Sequence, residues 1–252
     1  MSARKIISVT GADRVDFLQN LVTNDVGGLQ SGLVWTALLT PQGKYLADFF
    51  MVPAPDAIWL DVAEALAPGL VQRLSMYKLR ADVTLATVDV SVARGLGPTP
   101  EGAFADPRHP DLGWRAYDGR EGDTQDWDAL RVAHLVPESG IELVPNESYL
   151  LEMNFEALHG VDFRKGCYVG QEVTARMKHK TVLKKGLARV AVDGTASVGS
   201  DITNESGKPV GQLFTQSGGI GLAHIRFDRM KGILHAGGAT ITGFADATPK
   251  DP

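Results

Sequence analysis

At Thr181 the hydrophobic pattern of the chain changes character, and that change limits the possible folds more than any other feature of the sequence. After it come short apolar runs at 187–192, 209–215 and 219–225, separated by Gly-rich turns. Runs of that length and spacing predict a small C-terminal β-barrel over 181–252. Before it, strand-like and helix-like segments alternate. Residues 5–9 read as a strand, Gly11 turns the chain, and Asp13 is placed to cap a helix with Val15, Leu18, Leu21 and Val22 at three- and four-residue spacing. The apolar runs 33–40 and 45–52 are separated by Pro41, Gln42 and Gly43, residue types that make a tight hairpin turn. Strands at 57–62 and 82–88 flank a helix over 64–77 that presents Leu70, Val71, Leu74 and Tyr77. Residues 95–112, rich in Pro and Gly, read as a loop and subdomain boundary. A helix over 124–135 then carries Trp127, Leu130, Arg131 and His134. The expected class is α+β, with two subdomains in 1–180 and the barrel behind them.

A chain of 252 residues hides roughly 70 to 75% of its unfolded surface, so a core needs no metal or disulfide staple. The net charge is −5, which leaves no general basic field for a nucleic-acid backbone, and no direct nucleic-acid partner is expected. Arg176, Lys178, His179, Lys180, Lys184 and Lys185 form one local basic run. It reads as a solvated face or, alternatively, as a patch for an anion or a partner. The uncharged stretch 26–43 contains glycines, Gln30, Gln42, Thr36 and Thr40, which makes it too polar to span a bilayer, so no membrane role is expected. Phosphate-binding glycine loops and metal-ligand spacings of the HExxH or CxxC kind are absent from the sequence, and no permanently bound metal is expected. Paired carboxylates such as Asp61 with Glu64 read as solvated surface groups.

Cys167 is the single cysteine of the chain. It cannot form an internal disulfide, and a reducing cytosol is the expected compartment. It stands in the octapeptide KGCYVGQE, residues 165–172, at what reads as the start of a helix running to about Met177. A thiol near Lys165 and a helix N-terminus is expected to favour thiolate. A lone cysteine also reads as a small buried hydrophobe, although Lys165, Gly166, Tyr168, Gly170, Gln171 and Glu172 are poor company for simple burial. One sulfur is too few for a complete iron-sulfur ligand set, which uses four. A cysteine-nucleophile enzyme needs an oriented histidine, and neither His159 nor His179 stands in such a signature.

The octapeptide followed by Arg176, the segment TGADRVDFLQNLVTNDV at 10–26, and the element around Trp127, Leu130, Arg131 and Pro137 together resemble the YgfZ family of folate-binding proteins. That family is related to the T-protein, the aminomethyltransferase of the glycine cleavage system. The resemblance implies a three-subdomain ring of the T-protein/YgfZ type, with mixed sheets, helices and a C-terminal β-barrel, in which 1–180 is the folate-binding-like part. It implies assistance to iron-sulfur cluster assembly or repair in client enzymes, including radical enzymes that modify tRNA, with Cys167 as the functional thiol. Lys165, Gly166, Tyr168, Gly170, Gln171, Glu172 and Arg176 would shape the surroundings of that thiol. A tetrahydrofolate derivative is the implied ligand, contacted by Trp127, Arg131 and Asp48. The partners would be iron-sulfur client enzymes or assembly factors.

The chain departs from the pattern in three places. Ala133 stands where the central element carries Glu, and Leu135 where it carries Gly. The transferase pattern G-x-x-x-D-D appears from Gly43 to Asp48 with Ala47 in place of the first acid. Loss of one acid of a pair removes a charge stabiliser or a pKa-tuning neighbour, which counts against the alternative of a tetrahydrofolate-dependent aminomethyltransferase-like enzyme.

Overall fold

The computed structural model describes residues 3–180 and 182–247. They divide into two compact units, each built from two stretches of chain: 1–125 with 158–171, and 126–157 with 172–252.

The first unit contains β1 (Arg4–Thr10), α1 (Arg14–Gln19), β2 (Val34–Leu39), β3 (Tyr45–Ala54), β4 (Ala57–Ala63), α2 (Ala67–Lys78) and β5 (Thr84–Val88). The strands form one antiparallel sheet in the order β2-β3-β4-β1-β5. Alternation with period two sends Ile7, Val9, Phe49, Met51, Leu60 and Val62 into a buried cluster with Phe17 and Leu18 of α1 and Leu70 and Leu74 of α2. The same alternation lines up Trp35, Phe50 and Asp61 across the opposite face, paired in register from β2 through β3 to β4. A second, three-stranded sheet consists of β6 (Ala93–Gly95), β7 (Phe104–Ala105) and β8 (Trp114–Ala116), with β8 in the middle.

Several expectations need correction here. The stretch 95–112 is more than a loop, because β7 and the end of β6 lie in it; strands of two or three residues are too short to leave a hydrophobic period. Asp13 sits before α1, but its carboxylate accepts from the Asp82 backbone N–H at 2.8 Å rather than capping the helix. Val15 is exposed while Leu18, Leu21 and Val22 are buried, and α1 ends at Gln19, before the last two of them. Asp61 is no surface group: its side chain is fully buried.

The second unit contains α3 (Trp127–Ala133), α4 (Gln171–Lys180, whose first residue lies in the other unit) and the barrel. The barrel is closed, in the order β10-β11-β12-β9-β14-β13, from β9 (Lys185–Asp193), β10 (Ser200–Asn204), β11 (Pro209–Ser217), β12 (Ile220–Arg226), β13 (Leu234–Ala236) and β14 (Ala239–Ala247). Closure leaves no unpaired strand edge. Val190, Leu213, Ala223, Ile225 and Ile241 fill the interior. Among the described residues no helix is long and apolar enough to cross a membrane.

Candidate functional site around Cys167

Cys167 is exposed, so the reading as a buried small hydrophobe is set aside. The thiol lies on an irregular segment, and α4 begins only at Gln171, four residues further on. This differs from the expected position at the helix start. The lysine that was to favour thiolate is also committed elsewhere. Lys165 Nζ donates to the backbone carbonyls of Gln19, Val22 and Asn24 at 2.8, 2.6 and 2.9 Å and lies 5.4 Å from the Tyr168 ring centroid. An ammonium has three N–H donors, and all three are used. Burial pulls the Lys165 pKa down to about 8, opposed by the charges of Asp25 and Asp162.

Two sequence signatures 140 residues apart thus meet in one place. The N-terminal segment ends α1 and crosses to β2, where the Thr23 hydroxyl donates to Gly160 O at 2.8 Å and accepts from the Ala37 N–H at 3.0 Å. Asn24 Nδ2 donates to His159 O at 2.6 Å and to Trp35 O at 2.8 Å. The Asp162 N–H donates to Thr23 O at 3.0 Å. The motif segment is therefore held from below by side chains of the TND sequence and by Lys165 reaching back to it. At its other end Gly170 has φ +84°, and a Cβ there would stand 2.6 Å from Thr40 O in the turn between β2 and β3. Only glycine fits. Tyr168 is buried and Val169 packs on the sheet-helix core. Gly166 has open space around its Cα. The outcome is an exposed sulfur on a loop fixed on both sides. Lys165→Met keeps the apolar stem and removes the three donors. Faster amide exchange over 20–25 and 163–170 is expected, with a stability loss of about 1 to 3 kcal/mol in urea titration; exchange at wild-type rates would show the anchor to be dispensable.

Asp48, in the same unit, is buried and accepts from Trp35 Nε1 at 3.0 Å and from the Tyr45 hydroxyl at 2.7 Å. The remaining candidates, Trp127, Arg131, Glu172 and Arg176, belong to the other unit. Trp127 opens α3 and is buried. Arg131 is 2% exposed, and each of its five N–H donors meets a protein acceptor: Asp128 Oδ1 from both Nε and Nη2, Val136 O and Glu142 Oε2 from Nη1, and Thr215 Oγ1 from Nη2. A guanidinium with all donors satisfied ties α3 to β11 and has none left for a ligand. Leu135 keeps a positive φ of 52° at the position where the family pattern carries glycine. Ala133 has no carboxylate to offer at the position where the family pattern carries Glu.

Sequence reading missed the polar cluster beneath the first sheet. Asp61 accepts from Arg4 Nε at 2.6 Å, Arg115 Nη1 at 3.1 Å and the Tyr117 hydroxyl at 2.9 Å. Asp106 accepts from Arg108 at 2.9 and 2.8 Å and from Arg115 Nε at 3.3 Å. The Arg115 and Arg108 guanidinium carbons lie 3.9 and 4.8 Å from the Phe50 ring centroid. The partners are 54 residues apart or more around Asp61, and nothing local marks them. The cluster joins the five-stranded sheet to the three-stranded one.

Comparison with known proteins places these features. Residues 184–247 match the family model of the CAF17 C-terminal beta-barrel domain. The crystal structure of the glycine cleavage system aminomethyltransferase T from Bartonella henselae superposes with a TM-score of 0.70 over 98% of this chain and 83% of that one, at 10% identity. The fold is therefore that of aminomethyltransferase T, with antiparallel sheets, few helices and a closed C-terminal barrel, the fold type the sequence led us to expect. A Mycosarcoma maydis protein named iron-sulfur cluster assembly factor IBA57 homolog, mitochondrial, is 34% identical over 72% of this chain and 54% of its own length. The chain is similar to the IBA57 iron-sulfur cluster assembly factors. It spans about half of the Mycosarcoma maydis relative, 54%. The mouse and human IBA57 proteins are each 29% identical over 93% of this chain and 79% of theirs. These relatives bear the IBA57 name rather than YgfZ, and all three are named mitochondrial. The cytoplasmic expectation is corrected accordingly, since the comparisons point to mitochondria. A single cysteine excludes a disulfide-built fold but does not separate one reducing compartment from another.

Proposed function

We propose that this protein is an iron-sulfur cluster assembly factor that acts through the thiol of Cys167. One observation carries the reading: the chain's single cysteine is exposed on a loop that Lys165 and Gly170 hold in place. The names of the relatives support it. A cluster needs four ligands, so one thiolate can serve only as a partial ligand to a cluster held jointly with a partner. The cluster is then cargo, and the partners are iron-sulfur enzymes or other assembly factors. The tRNA-modifying radical enzymes implied by the motif resemblance fall within that class, and the finer resemblance to YgfZ proteins is compatible with it. Folate has no part in this proposal, and Ala47 in place of the first acid of the pair counts against a transferase reaction.

Cys167→Ser is expected to abolish recovery of iron-sulfur enzyme activity when returned to cells lacking the protein. Its stability should stay within about 0.5 kcal/mol of the parent, because an exposed side chain is lost. Full recovery of enzyme activity by the variant would remove the thiol from the mechanism.

A further inference from the structure

The outer wall of the barrel carries two neighbouring open pockets that together form one basic groove. One, of about 540 Å³, is lined by Asn204, Lys208, Pro209, Arg229 and Lys231. The other, of about 260 Å³, includes Lys185, Gln212, His224 and Arg226, and shares Pro209 and Arg229 with the first. Five cationic side chains line this groove on a chain whose net charge is −5. They come from separate elements. Lys185 and Arg226 face each other in register on β9 and β12, Lys208 sits on the turn between β10 and β11, and Arg229 and Lys231 follow β12.

Two of these charges are balanced within the unit. Lys185 lies 3.3 Å from Glu152, which also meets His224 at 3.2 Å, and Arg226 pairs with Asp228 at 3.1 Å. Lys208 and Lys231 make no ion pair among the described residues. Arg229 Nη1 is oriented by the carbonyl of Pro209 at 2.7 Å. The turn that presents Lys208 is stiffened by Asn204, whose side-chain oxygen accepts from the Ser206 and Lys208 backbone N–H groups at 3.1 and 2.9 Å.

We propose that this groove docks an acidic polypeptide segment of a partner protein. Lys208, Arg229 and Lys231 are all exposed, so each contact with a single anion is weakened by water and salt. Affinity then requires several carboxylates presented in succession, which an extended acidic segment supplies and a lone phosphate does not. Two neighbouring pockets that share Pro209 and Arg229 in their walls suit such a segment. A long polynucleotide is disfavoured by the overall negative charge. The basic run noted in the sequence reaches this surface at Lys185. The inference adds a charge character for the partner to the assembly-factor reading and does not depend on the thiol.

The test uses the full chain and a fluorescein-labelled ten-residue polyglutamate peptide, followed by anisotropy at low salt. Saturable binding is expected, weakened at least tenfold in the Lys208→Ala/Lys231→Ala double variant, whose unfolding midpoint should match the parent. Cys167→Ser and an Arg80→Ala control in the other unit are expected to bind as the parent does, which separates this site from the thiol's role. Absence of saturable binding, or equal binding by the double variant, would overturn the proposal. So would full displacement by equimolar inorganic phosphate, or tighter binding of a ten-nucleotide single strand than of the peptide.

Discussion

Gly170→Ala is expected to lower stability by about 2 to 4 kcal/mol and to loosen the cysteine loop while leaving the thiol chemically intact. Two costs combine. The residue is held at φ +84°, where a Cβ is strained, and that Cβ would stand 2.6 Å from Thr40 O and 3.0 Å from Leu39 Cβ. The obstacle is backbone at the turn of a hairpin whose strands are buried in the sheet, so it cannot swing aside as a flexible side chain would. Gly166 is the internal control, because it has open space and no positive φ. Gly166→Ala should change stability by no more than about 0.5 kcal/mol. Urea unfolding of both variants, with amide exchange across 165–172, decides the matter. Equal midpoints would mean that the hairpin turn yields, and the loop would not be fixed as described. The functional consequence follows from the same geometry: recovery of iron-sulfur enzyme activity should fall in Gly170→Ala although Cys167 remains.

The contrast between these glycines shows what the sequence made legible. The motif residues could be named in advance, and so could the strands of the first sheet and the barrel, because periodicity two and Gly-rich turns leave a direct trace. What the motif does with its lysine could not be read. Lys165 donates to three backbone carbonyls, and a carbonyl has no residue identity to betray it. Arg131 is the converse case. The resemblance gave it a ligand, whereas its donors meet Asp128, Val136, Glu142 and Thr215. Thr215 lies 84 residues away, beyond any local pattern. Leu135 shows that backbone shape outlives the residue best suited to it: the left-handed turn persists without glycine, at a strain of roughly 1 to 2 kcal/mol. Asp61 failed for a simpler reason. A carboxylate next to a helix start looks solvated until its cations arrive from β1 and β8.

Those cations set the second large effect. Asp61→Ala should destabilise the first unit by about 3 to 5 kcal/mol, because the buried Arg115 and the partly buried Arg4 would keep their charge without the carboxylate that balances them. Burial alone would push the Asp61 carboxyl up, yet the charges of Arg4 and Arg115 and the hydrogen bonds from Arg4 and Tyr117 hold it below the usual carboxylate range. Asp106 follows the same logic: burial is outweighed by Arg108 and then Arg115, and its carboxyl is held far down. The sign follows from proton counts. On acidification the unfolded chain takes up protons on these two groups near their ordinary value of about 4, while the folded chain does not, so the unfolded state gains relative to the folded one. Stability from the pair is fully present above pH 5 and is lost as pH falls through 4 toward the folded values. With two groups contributing, the slope approaches about 2.7 kcal/mol per pH unit at its steepest. Asp61→Asn removes one titrating group, so its acid slope should fall by about half even though the variant is weaker at neutral pH. Urea midpoints of parent and variant between pH 3 and 7 measure both quantities. Parallel pH profiles for the two proteins would show that Asp61 titrates alike in the folded and unfolded chains, and the buried network would then not be the acid-sensitive joint between the two sheets.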